Sequence, residues 1–185
     1  MVVQTRRLVL REFEEGDWLA LFTYQSDPRY LRYYPVNIRM EADTRLLLQR
    51  FIQWHQEHPR TKFQLAVTPG LEGPLIGACG LRKATPAATE GDMGYEIAPW
   101  YWGYGYATEV AEAMLAFGFR RLALARITAT CIAENRASVR VLEKLGLRCE
   151  ERRPASCWMK GRWWERLRWS IARERWMARE QSAQR

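Results

Sequence analysis

The stretch Tyr95-Glu-Ile-Ala-Pro-Trp-Tyr-Trp-Gly-Tyr-Gly-Tyr-Ala-Thr-Glu109 changes character twice. It opens as the end of a strand, Pro99 stops the pattern, Gly103 and Gly105 bracket a single residue, and a helix-compatible run follows at once. Glycine serves where the backbone needs a positive φ or must approach a ligand closely. The first amides of a helix have no partner inside it and face outward with the positive end of the dipole. The segment therefore suits a pyrophosphate, or else it is a tightly packed turn; these residues alone leave both open. A dinucleotide fingerprint would need a third glycine near the start of a βαβ unit, and a P-loop would need Gly-Lys-Ser/Thr. Neither is present.

Outward from this turn the chain alternates strands and helices. Upstream, the spacing predicts strands at Lys62 to Thr68, Leu75 to Arg82 and Asp92 to Ala98, the first two joined by the turn signals Pro69-Gly70 and Gly73-Pro74. Downstream it predicts a helix to about Arg121, a strand over Arg126 to Ile132 and a helix over Ala137 to Leu145, closed by Gly146. Strand, turn, helix and strand in that order form a local parallel unit. Two closing strands, Leu147 to Arg153 and Trp163 to Ile171, flank a turn at Lys160-Gly161 and lead into a polar helix. Near the start, Thr5 to Phe13 reads as one strand. Asp17 is the expected cap of a helix burying Trp18, Leu21 and Phe22, and an aromatic loop or broken helix covers Asp27 to Asn37. A further helix, Glu41 to Gln56, places Leu47, Phe51 and Trp54 on one side. The expected fold class is α+β, in one domain spanning residues 1–185.

Composition narrows the function classes. Nearly half the residues are apolar and nine are Trp, so a disordered chain is excluded. The net charge of +8 comes from arginine, since only four of the 29 basic residues are lysine. Its planar fork suits phosphates and carboxylates, but a solvated arginine-rich surface explains the charge as well. Cys79, Cys131, Cys149 and Cys157 form no metal-binding pair, and His55 and His58 have no third partner, so no metal site is expected. No apolar run approaches a membrane span and no signal-peptide core opens the chain, so a cytoplasmic protein is expected.

The segment Pro99 to Glu109 resembles the acetyl-CoA loop of the GNAT superfamily, and its Tyr-Trp-Gly-x-Gly form resembles the RimJ/RimL-like branch. Trp102 stands where Gln or Arg is usual in the superfamily. Thr5-Arg-Arg-Leu-Val-Leu-Arg-Glu-Phe13 is similar to the family's opening strand. Glu134-Asn-Arg-Ala-Ser-Val-Arg-Val-Leu-Glu-Lys-Leu-Gly146 is similar to its segment beyond the cofactor, and Trp163 to Ile171 to its closing strand. The resemblance implies a mostly antiparallel mixed sheet with a central splayed parallel pair flanked by helices, and acetyl-CoA as cosubstrate. It implies pantetheine contacts at Ile97 and Ala98, pyrophosphate contacts along Trp102, Gly103, Tyr104, Gly105, Tyr106, Ala107 and Thr108, and a cofactor contact at Asn135, which is equally a helix cap. A tyrosine that many members use to protonate the leaving thiolate is replaced by Leu142. Ser138 matches a serine of RimL-like enzymes that can do so instead, and Glu96 is the candidate base.

Tyr33, Tyr34 and Trp100 are candidates for lining the acceptor cleft. The resemblance implies a primary amine as acceptor, either a protein N-terminus, ribosomal proteins included, or a small molecule. The resemblance leaves room for a homodimer. Two other classes stay open at this point: a CoA-binding regulatory domain without turnover, and a basic RNA- or ribosome-binding module, for which no RNA-binding signature is present.

Overall fold

In a computed structural model, residues 1–183 are described and form one mixed sheet with helices on both faces. In chain order the elements are β1 (Val2–Gln4), β2 (Val9–Arg11), α1 (Trp18–Gln25), α2 (Pro28–Leu31), α3 (Glu41–Gln56), β3 (Lys62–Thr68), β4 (Gly77–Arg82), β5 (Glu90–Ile97), α4 (Tyr106–Arg120), β6 (Arg126–Ile132), α5 (Arg136–Lys144), β7 (Arg148–Met159), β8 (Arg162–Ala172) and α6 (Arg173–Ala183). The eight described strands lie in the order β1-β2-β3-β4-β5-β6-β8-β7, and every pairing is antiparallel except β5 with β6.

The start differs from the expectation of one strand over Thr5 to Phe13. Thr5 bonds Leu8 through both its N–H and its hydroxyl, at 2.8 and 2.9 Å, and this local bridge folds the segment into a β1–β2 hairpin. Asp17 stands at the N-cap position of α1, as expected, but its side chain makes no capping bond. Its carboxylate grips Arg11 through two bonds of 2.7 and 2.8 Å and accepts Glu14 N at 2.9 Å, so a 3₁₀ turn at Glu15–Asp17 precedes the helix. An ion pair with a buried acid prevails over capping here. The aromatic stretch becomes the short helix α2, capped by Asp27 accepting Arg29 N at 2.8 Å. β4 starts at Gly77, two residues later than expected, and β7 runs on to Met159.

Alternation along the strands divides the core. Met93, Tyr95, Ile97, Ile127, Ala129 and Cys131 face α4, α5 and α6, where Met114, Leu115 and Leu142 are buried with them. Ala66, Ala78 and Ala98 face the layer of α1, α2 and α3, which buries Leu21, Tyr24, Tyr30, Leu48 and Phe51. Leu48, one position beyond the expected Leu47, is buried on α3 together with Thr44 and the expected Phe51.

The parallel pairing is short. It joins Glu90, Gly91 and Asp92 to Arg126, Ile127 and Thr128 and then stops. Beyond it β5 follows β4 as far as Ile97, while β6 follows β8 as far as Ile132. The two central strands thus diverge from Met93 onward, and the functional clefts open in that gap.

Candidate active site

On the α4 side, Pro99–Tyr101 make one 3₁₀ turn after β5, and Gly103 and Gly105 lead into α4 with φ of 85° and 79°. Both angles are left-handed, where a Cβ costs about 1–2 kcal/mol, so the turn itself asks for glycine. Among the described residues, the N–H groups of Gly103 through Thr108 have no acceptor. A row of unpartnered amides at the positive end of a helix is an anion cradle.

The turn is held from behind. Glu109 accepts Thr5 Oγ1 and Arg7 Nε, both at 2.7 Å, and Arg7 N at 2.8 Å. The Arg7 guanidinium also lies 4.6 Å from the Tyr106 ring, which stacks on Tyr104. Burial pushes the Glu109 carboxyl up, but the bonds from Thr5 and Arg7 outweigh it and leave the group below its ordinary range.

A cleft of about 600 Å³ continues from this turn, and Ile97, Trp102, Ala107, Asn135, Ser138 and Val141 are among its walls. Trp102 donates its indole N–H to the Ile97 carbonyl at 2.6 Å. Ala98 turns its N–H away from the splay to Ile76, just before β4, whose carbonyl accepts at 2.8 Å, and its side chain is buried against the opposite layer. Adjacent residues of a strand point their main-chain groups to opposite sides, so of this pair Ile97 is the one whose main chain faces the splay. Gly103, Tyr104, Gly105, Tyr106 and Thr108 form the adjoining turn. Asn135 lines the cleft and also caps α5, accepting Ser138 N at 3.2 Å.

A second, smaller cleft of about 200 Å³ opens toward the α1–α3 side. The two share Tyr34, Tyr95, Glu96 and Ser138, which therefore stand at their junction. Tyr95 reaches across the splay so that its hydroxyl lies 2.9 Å from Ser138 Oγ, and burial pushes its phenol up. Cys131, on the same face, is pushed up to about 11, by burial above all. Leu142 is buried one turn further along α5 and carries no proton to give.

Glu96 points the other way, into a set of donors. Its Oε1 accepts Tyr24 Oη at 2.6 Å and Gln25 Nε2 at 2.9 Å; its Oε2 accepts the Tyr30 hydroxyl closely and Tyr34 Oη at 3.4 Å. Burial, and after it the charge of Glu96, push all three phenols up, so they stay protonated donors. Tyr24, Gln25 and Tyr30 escaped the reading of the sequence. A signal was there: Tyr24 and Gln25 lie three and four residues after Leu21, on the buried face of α1, where a glutamine is out of place without a polar partner. Tyr33 and Tyr34 line the larger cleft, whereas Trp100 lines neither and is exposed beside Tyr101. Among the described residues there is no cluster able to hold a metal, and no helix is long and apolar enough to cross a membrane.

A parallel pair that splays beyond an anion-binding turn is one half of the decision. The other half is a match of residues 7–148 to the family described as Acetyltransferase (GNAT) domain. The chain belongs to the GNAT acetyltransferases. It falls in the RimJ/RimL type of the family and is an acetyl-CoA-dependent N-acetyltransferase, which decides among the three classes left open by the residues. It is 35% identical to the uncharacterized N-acetyltransferase YnaD of Bacillus subtilis over 177 residues, 95% of this chain and 99% of that one. Among solved structures it matches a GNAT-family acetyltransferase from Bacillus anthracis at 32% identity with a TM-score of 0.81, covering 94% of this chain and 99% of the other. Spermidine N-acetyltransferase from Vibrio cholerae, solved with CoA and spermine, shares the fold at a TM-score of 0.79 and 21% identity, over 92% and 98% of the two chains.

Proposed function

We propose that this acetyltransferase transfers acetyl directly from acetyl-CoA to a primary amine that approaches from the α1–α3 side, with Glu96 receiving the amine's proton and Ser138 serving the leaving thiolate. The observation that carries this reading is the meeting of two clefts at Tyr34, Tyr95, Glu96 and Ser138. One cleft leads back to the anion cradle, where the amides of Gly103 through Thr108 would receive the pyrophosphate while Ile97 would bond the pantetheine arm. The other admits the acceptor.

Attack by the neutral amine forms the new C–N bond. Collapse of the tetrahedral intermediate breaks the C–S bond, with one proton leaving nitrogen and one reaching sulfur. Glu96 is a carboxylate with each oxygen held by two donors, and its weakest contact is Tyr34 at 3.4 Å. An incoming N–H can replace that contact, so Glu96 takes the proton through the Tyr34 position while Tyr24, Gln25 and Tyr30 hold the carboxylate in place. On the opposite side the Ser138 hydroxyl gives a proton to sulfur and regains one from solvent after the thiol departs, while the protonated Tyr95 holds the serine hydroxyl in place.

The acceptor is a small-molecule amine or a protein N-terminus; both occur among acetyltransferases of this fold, such as the spermidine enzyme and the ribosomal-protein enzyme RimL. The proposal takes residues 1–185 as one catalytic domain, in a homodimer, in the cytoplasm. Four free thiols suit a reducing compartment. The test is release of CoA thiol with a panel of primary amines, alongside thermal stabilisation by acetyl-CoA, NAD and ATP at matched concentration. Stabilisation by acetyl-CoA alone, with amine-dependent thiol release, is expected. Stabilisation by NAD and not by acetyl-CoA would overturn the site.

A further inference from the structure

The smaller cleft has an unusual floor. Gly80 of β4 and Gly94 of β5 are directly opposite each other in the middle of the sheet. Glycine inside a strand weakens it and marks a close approach to the backbone. Here the approach is visible. A Cβ at Gly80 would lie 2.1 Å from Gln64 Oε1, so the Gln64 side chain lies flat across that residue. A Cβ at Gly94 would meet only Arg82, whose Nη2 and Nη1 are 3.7 and 4.0 Å away, so the guanidinium lies over the second glycine. The side chains also meet each other, Arg82 Nη2 donating to Gln64 Oε1 at 3.0 Å.

This contact fixes which end of Gln64 is free. Oε1 is taken by Arg82, and the Gln64 amide N–H groups make no hydrogen bond to another described residue. They line the cleft with the guanidinium and the Thr130 hydroxyl, so at this end of the cleft, away from Glu96, each facing side chain can donate a hydrogen bond. Two carboxylates stand nearby. Asp92 touches Arg82 Nη1 only at 3.5 Å, and Glu96 is already surrounded by Tyr24, Gln25, Tyr30 and Tyr34. Arg168 adds further positive charge: it is the register partner of Thr130, on the same side of the sheet, and acts on Asp92 together with Arg82.

We propose that Arg82, Gln64 and Thr130 form an anion subsite, and that the acceptor is a small primary amine carrying a carboxylate, with its nitrogen at Glu96 and its carboxylate against the Arg82 guanidinium, beside Gly94. This rests on the acetyl-transfer reading and names its substrate class. Gly94 and Glu96 are two residues apart on one strand, roughly 6.5–7 Å, a spacing that an amino acid spans with a hydrogen bond at each end. A guanidinium with unoccupied N–H groups binds a carboxylate through two parallel bonds. The same charges repel a polyamine, whose second ammonium would meet Arg82.

The experiment compares matched acceptors by kcat/KM: β-alanine with β-alaninamide, 4-aminobutyrate with its amide, and an amidated peptide beginning with Asp with its Asn counterpart, spermine being the cationic control. Each acid should exceed its amide by about tenfold or more, with spermine poorest. Preference confined to the peptide pair would place the carboxylate on a polypeptide and overturn the small-molecule assignment. In Arg82→Gln the acid-to-amide ratio should fall toward one, and Arg82→Lys should restore part of it. Gly94→Ala supplies a variant that folds, because its methyl group meets nothing closer than 3.7 Å, and it too should reduce the ratio by occupying the subsite. Amides equal to or better than acids, or spermine as the best acceptor, would overturn the proposal. So would acetyl-CoA binding without turnover of any member, which leaves the cofactor site standing; failure to bind acetyl-CoA would instead bring down the parent reading.

Discussion

The two sides of the splay are built in different ways. On the α4 side the ligand-facing groups are main-chain amides from one uninterrupted segment, Gly103 to Thr108, shaped by two left-handed glycines. On the α1–α3 side they are side chains gathered from α1, α2, β3, β4 and β5: Tyr24, Gln25, Tyr30, Gln64, Arg82 and Glu96. A main-chain site tolerates side-chain change so long as the glycines remain, so Trp102 can stand where Gln or Arg is usual. A side-chain site can change its ligand by exchanging single residues. On the proposed reading, the cosubstrate is held by backbone geometry and the acceptor is chosen by side-chain chemistry.

The largest effect should come from breaking the acceptor side at its centre. Glu96→Gln keeps the shape but removes the charge and places an amide N–H against donors from Tyr24 or Tyr30. Turnover should fall by about 10²–10⁴-fold with affinity for CoA nearly unchanged. If turnover survives while melting temperature drops, Glu96 only holds the tyrosine layer together, and the two sides are no longer a catalytic and a binding half.

Ser138→Ala tests the junction. Loss of the hydroxyl should lower kcat by about tenfold to a few hundredfold and leave CoA affinity close to wild type. Its stability should change little, because the cap of α5 is Asn135 and the serine hydroxyl is turned to Tyr95. A kcat within twofold of wild type would remove Ser138 from the proton path and leave solvent to protonate the thiolate.

The same contrast explains what could be read without coordinates. Helix α3 and strands β3 and β6 coincide with their expected bounds because their apolar spacing is strong and local. The glycine turn was legible for the same reason, since Gly103, Gly105 and the new helix are adjacent. Glu96 and Ser138 were reachable through alternation along β5 and a matched segment. Tyr24, Gln25, Gln64 and Arg82 were not, because their roles exist only when four separate elements meet. The pairing of Gly80 with Gly94 likewise exists only in the register of β4 against β5. The β1–β2 hairpin was lost to a local bond at Thr5 that competes with a continuous strand.

A smaller effect is expected from the cofactor side. Gly105→Val puts a β-branched residue at φ 79° beside the Arg7 guanidinium, 3.6 Å from the new Cβ. Strain of about 1–2 kcal/mol and added bulk at the cradle should weaken acetyl-CoA by about tenfold or more, seen as a raised KM with the acid-to-amide preference intact. A shift in acceptor preference instead would mean that the turn also shapes the far cleft, and the division between the sides would fail.

The smallest effect separates two roles of one residue. Asn135 lines the larger cleft and accepts Ser138 N at 3.2 Å, so it can act as a cap, as a cofactor contact, or as both. An Asn-to-Ala change at an N-cap costs about 0.5–2 kcal/mol, and Asn135→Ala should lose that much in denaturant unfolding without ligand. Asn135→Ser restores a capping oxygen on a shorter side chain and should recover most of the stability. Affinity for CoA decides the rest. If both variants bind CoA as the wild type does, Asn135 belongs to the scaffold and the cofactor side remains a main-chain site. If the serine variant is stable but binds CoA several-fold more weakly, one side chain takes part in holding the cosubstrate, and the contrast between the two sides of the splay becomes one of degree.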